Sequence, residues 1–115
     1  MVFDYTVSIN EDYAIITISG NLIEKGQAVT LLEKTDELIA KNCNKWVIDL
    51  ENLSYMNSSG LNTLIQLLTK ARVAGGEAVL CNMNKKINEL ILITKLNLLF
   101  KVTQTPDEAI KLLEV

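Results

Sequence analysis

Two adjacent hydroxyls, Ser58 and Ser59, stand between Asn57 and Gly60, after the apolar run Trp46-Val-Ile-Asp-Leu50 and before Leu61, Leu64, Ile65 and Leu68. A serine hydroxyl can attack as a nucleophile, accept a phosphoryl group, or cap a helix. The first role needs a base, and the chain has no histidine. That removes Ser–His and Cys–His pairs, the commonest general base and the commonest zinc ligand together. A nucleophile elbow also needs glycine two residues before the serine, and Met56 stands there, although Gly60 fits on the other side. Cys43 and Cys81 have no CxxC spacing, so they read as reduced thiols, Cys81 being a small core residue. No catalytic residue, metal or cofactor is expected, and the chain reads as a non-enzyme.

The other two roles are compatible. Asn and Ser cap helices because their side-chain oxygens accept from first-turn amides that otherwise lack partners. Those amides and the helix dipole also tolerate an anion. A phosphoryl group on Ser58 would add about −1.5 to −2 charges at the helix start and present a bulky dianion to anything docked on that loop. Ser59 reads more simply as a capping or loop-shaping residue. Gly60 either keeps the loop open to a partner or meets a steric need for a small residue. Asp49 ends the preceding strand toward the same rim, where it fits a recognition surface and a loop cap equally well.

The elements that must hold this loop follow from periodicity. Phe3–Ile9 and Tyr13–Ile18 form a hairpin through Asn10-Glu11-Asp12, with Ser19-Gly20-Asn21 expected to end the second strand. Ala28, Leu31, Leu32, Thr35, Leu38 and Ile39 define an amphipathic helix over about 24–41, and Trp46–Leu50 is a buried strand. A helix opens after Asn57 and runs to about Ala74, where Gly75-Gly76 stops it. Because this glycine pair follows a helix and precedes a strand, it is not a phosphate loop. Ala78–Cys81 is the next strand, and residues 85–95 form a third helix whose Leu92 and Ile93 suggest either a partner surface or burial on two sides. Leu98-Leu99-Phe100 is expected to plug into the core, with Lys101–Thr103 a short edge strand. Thr105-Pro106-Asp107-Glu108 starts a last helix with Ala109, Leu112 and Leu113 inward. The order ββαβαβαβα predicts an α/β domain over residues 1–115, a mixed and mostly parallel sheet with helices mainly on one side.

Composition agrees. At 115 residues, 49% apolar and 22% charged, the chain is one globular domain. A net charge of −3 and no Lys/Arg cluster argue against direct nucleic-acid binding. The start Met1-Val-Phe-Asp-Tyr has neither a basic region nor an apolar core, and no run reaches the roughly 18–20 apolar residues of a membrane span, so membrane insertion is not expected and a cytoplasmic location is.

The order of elements, Gly20, Ile48-Asp49-Leu50, Met56-Asn57-Ser58-Ser59-Gly60-Leu61 and Gly75-Gly76 together resemble STAS domains, specifically the bacterial anti-sigma factor antagonists. The resemblance covers nearly the whole chain. It implies a STAS-like fold and a partner, an anti-sigma factor of the serine/threonine-kinase type that brings its own ATP and Mg²⁺. By motif match the phosphoacceptor is Ser58, and Asn57, Ser59, Gly60, Leu61 and Asp49 join it in the expected contact surface. The unphosphorylated protein would bind the anti-sigma factor and free sigma. This chain has Asn57 where the family usually has Asp, and the amide can still cap. The alternative implied by the same resemblance is a stand-alone STAS subunit of a membrane-associated lipid-transport ABC system, binding its ATPase as a structural part.

Overall fold

The strand Ala14–Leu22 (β2) organises the sheet: nine residues long, it alternates buried and half-buried positions from end to end. In the computed structural model, which describes residues 2–113, Asp4–Ile9 (β1) pairs with it antiparallel and Lys45–Asp49 (β3) pairs with it parallel. Glu77–Cys81 (β5) and Lys101–Val102 (β6) continue the parallel run, giving the order β1-β2-β3-β5-β6. Between the strands come Val29–Ala40 (α1), Ser58–Val73 (α2), Lys85–Ile93 (α3) and, last, Pro106–Leu112 (α4). The expected single mixed α/β domain is what forms.

Two layers of side chains close it. Ala14, Ile16, Ile18, Trp46, Ile48, Ala78 and Leu80 meet Leu31 and Leu38 of α1, the inner face of α2, and Ile87 and Ile91 of α3 in the main core. On the opposite face Val47, Val79 and Cys81 are covered by Ala109 and Leu113 at the α4 end of the chain. Among the described residues three helices pack on one side and one on the other, in keeping with the expectation of helices mainly on one side. The strands buried on both faces are β3 and β5, which explains why both read as continuous apolar runs.

The structure departs from the sequence expectation in several places. β2 does not end at Gly20. There φ is +81°, and a Cβ would overlap the Val2 carbonyl, so glycine lets the strand bend and continue to Leu22. The continuation pairs parallel with an unexpected strand, Leu53–Met56 (β4), across a register shift at Gly20/Asn21. The order is therefore ββαββαβαβα. The first helix is preceded by a 3-10 turn over Lys25–Ala28 rather than starting at Glu24. Of Leu98-Leu99-Phe100 only Phe100 enters the core, Leu98 being 81% exposed, because the 3-10 turn Leu96–Leu98 points it outward. Leu112 is likewise exposed, with Ile110 taking the inward place, and Leu92 and Ile93 lie in solvent, so α3 is buried on one face only.

Candidate functional site

The serine loop is the junction between β4 and α2. α2 forms because Leu61, Leu64, Leu67, Leu68 and Ala71 recur on one face and bury against the sheet, and it starts where it does because Asn57 caps it. Asn57 Oδ1 accepts from the Gly60 amide at 3.2 Å, and Asn57 Nδ2 donates to the Ile23 carbonyl at 3.0 Å. One amide thus caps the helix and ties its start to the end of β2, 34 residues earlier. An aspartate could make the first bond but not the second, because a carboxylate has no donor. Asn84 does the same for α3: its Oδ1 accepts from Ile87 N at 2.8 Å while its Nδ2 donates to the Leu53 carbonyl on β4 at 3.0 Å. Two asparagine caps therefore clamp β4 and both neighbouring helix starts into one unit.

Within that unit the expected site residues separate by exposure. Ser58 is exposed at the first position of α2, whereas Ser59 is half-buried, with its carbonyl accepting from Thr63 Oγ1 at 3.3 Å. Gly60 and Leu61 are buried. A Cβ on Gly60 would overlap the Leu22 carbonyl and come within 2.7 Å of Met56 Cβ, so of its two readings the steric one is realised. Gly60 and Leu61 shape the loop from beneath. Asp49 Oδ1 accepts from the Glu51 amide at 3.0 Å and from Asn82 Nδ2 at 3.1 Å, closing the turn after β3 and tying it to the end of β5.

Beside Ser58 the structure opens a groove of about 390 Å³ lined by Tyr55, Met56, Asn57, Ser58, Lys86, Ile87 and Leu90. Its floor is apolar, Met56 and Ile87 being buried and Tyr55 half exposed at 49%. Tyr55, Lys86 and Leu90 were not legible as site residues. The sequence carries no signal for Tyr55 or Leu90, and Lys86 reads as a solvated helix end. The thiols lie elsewhere and are poor nucleophiles. Burial, with the Asp49 and Glu51 carboxylates, pushes Cys81 up to about 12, and burial raises Cys43 as well.

The site can present a hydroxyl and an apolar cleft to another protein. Among the described residues no helix is long and apolar enough to cross a membrane. Comparison with known proteins gives a consistent result. The model of the STAS domain family matches residues 4–109. The anti-sigma F factor antagonist of Paenibacillus polymyxa is 25% identical over 88% of this chain and 86% of its own length. Among solved structures, an anti-sigma factor antagonist from Mycobacterium paratuberculosis superposes with a TM-score of 0.81 at 20% identity, covering 99% of this chain and 96% of that one. The Bacillus cell fate determinant SpoIIAA in its phosphorylated form superposes with a TM-score of 0.69 at 19% identity, over 96% of this chain and 97% of that one.

Proposed function

Because the chain belongs to the STAS domain family, matched over residues 4–109, we propose that it acts as an anti-sigma factor antagonist in the cytoplasm, a binding protein switched by phosphorylation of Ser58. In the unphosphorylated state the loop of Asn57, Ser58 and Ser59, underpinned by Gly60 and Leu61, docks on an anti-sigma factor of the serine/threonine-kinase type, and sigma is released. Asp49 borders that surface. The partner supplies ATP and Mg²⁺, transfers the γ-phosphoryl group to Ser58 Oγ with loss of the hydroxyl proton, and leaves with ADP. The new dianion then opposes docking.

The observation that carries this reading is the exposure of Ser58 at the first turn of α2, beside an apolar groove and with a neutral cap. Ser59 is half-buried and does not offer its hydroxyl in the same way. The names of the relatives support the partner class, and a fold neighbour is known in a phosphorylated form. Intact mass of protein from its own cells, followed by peptide mapping, tests the modification: one phosphate on Ser58 is expected. A stoichiometric complex with a transporter ATPase and no phosphate would instead favour the structural-subunit alternative.

A further inference from the structure

The first turn of α3 breaks a local rule. Lys85 and Lys86 occupy its first two positions and no acid stands in that turn, so cations sit at the positive end of the helix dipole, where they are unfavourable. Neither lysine is in an ion pair among the described residues. The first turn of α2, on the other side of the groove, also has no acid, and Asn57 is neutral. Lys86 is the one charged residue among the groove's lining, and it shares that lining with Ser58. Lys85, one residue away, lines a different cavity with Asn82, Gln104 and Glu108. A residue that costs local stability without a local partner is accounted for if its partner arrives later.

We propose that Lys86 is the counter-ion of phosphorylated Ser58, drawing the phosphoryl group across the groove between β4 and α3 so that the ion pair covers the apolar floor of Met56, Ile87 and Leu90. This deepens the switch proposed above and rests on Ser58 being the modified residue. On this account phosphorylation not only adds charge to the docking surface but also fills the cleft the partner would enter. Lysine suits the task, being a point charge on a long stem that can lie along apolar surface and still reach a phosphate. The competing charges are identifiable. Glu89 lies three residues further along α3, and Glu24 is engaged in the cap of the 3-10 turn with Gln27.

Phosphoserine installed at position 58 during translation, titrated by ³¹P NMR, tests the contact in the intact chain. The second phosphate ionisation is expected below its ordinary value of about 6 in the otherwise wild-type protein. Lys86→Ala should raise it by about half a unit, the size expected of an exposed pair. Lys86→Arg should hold it low. Lys85→Ala removes the same charge one residue away and should leave it unchanged. Equal shifts from Lys85→Ala and Lys86→Ala, or none from Lys86→Ala, would overturn the proposal. Since the phosphate is installed and not enzymatic, this titration reads the Lys86 contact even if no kinase modifies Ser58 in the cell, so the two readings fail separately.

Discussion

Asn57 does two jobs with one amide, and this bears on how the serine loop is held. Its oxygen caps α2 and its nitrogen bonds the Ile23 carbonyl. Asn57→Asp keeps the cap but places a carboxylate against the Ile23 carbonyl oxygen. It should destabilise the fold by about 1 kcal/mol, the worth of a lost neutral hydrogen bond. Urea unfolding would show this as a lower midpoint at unchanged slope. Equal or higher stability would mean that the bond to Ile23 contributes nothing. The cap itself is legible in the sequence, since Asn-Ser-Ser-Gly before an apolar helical face is a start signal. The second bond is not, because nothing in local spacing says that residue 23 lies against residue 57.

At the scale of elements, β4 is the piece that sequence patterning misses. Its burial runs buried, exposed, exposed, buried over Leu53–Met56, without the alternation that marks a strand, and its partner is the far half of a strand that glycine has bent. The bend at Gly20 and the strand β4 go together, for the bend brings the far half of β2 alongside β4. Gly20→Ala should cost roughly 1–3 kcal/mol from the strained φ alone. It should also speed amide exchange at Tyr55 and Met56, the β4 residues paired beyond the bend. Loss of stability with unchanged protection there would separate the bend from the pairing. By contrast α2 is legible throughout, since its apolar spacing is continuous. Leu64→Ala, at a fully buried position facing the sheet, should cost about 2–5 kcal/mol in the same unfolding assay. The groove is not legible in the sequence for the same reason as β4: Lys86 lines the same groove as Ser58 because Asn84 ties the start of α3 to β4.

For the whole molecule, the opposite face of the sheet has its own chemistry. Cys81 is buried under α4 with its thiol raised from 9.0 to about 12. Between those values the folded state keeps a proton that the unfolded chain releases. The stabilisation is therefore complete below pH 9 and lost as pH rises toward 12. Unfolding midpoints should fall more steeply above pH 9 for the wild type than for Cys81→Ala, and identical slopes would contradict the burial of that thiol. The proposed switch is centred on the other side, at the end where β4, α2 and α3 meet, and of the residues near Cys81 only Asp49 reaches its border. The proposed switch is tested most directly by one affinity purification from the protein's own cells, with Ser58→Ala and phosphoserine-58 proteins as paired baits. It predicts that the Ser58→Ala bait recovers a kinase-type anti-sigma factor and that the phosphoserine bait does not. Equal recovery by both baits would contradict it.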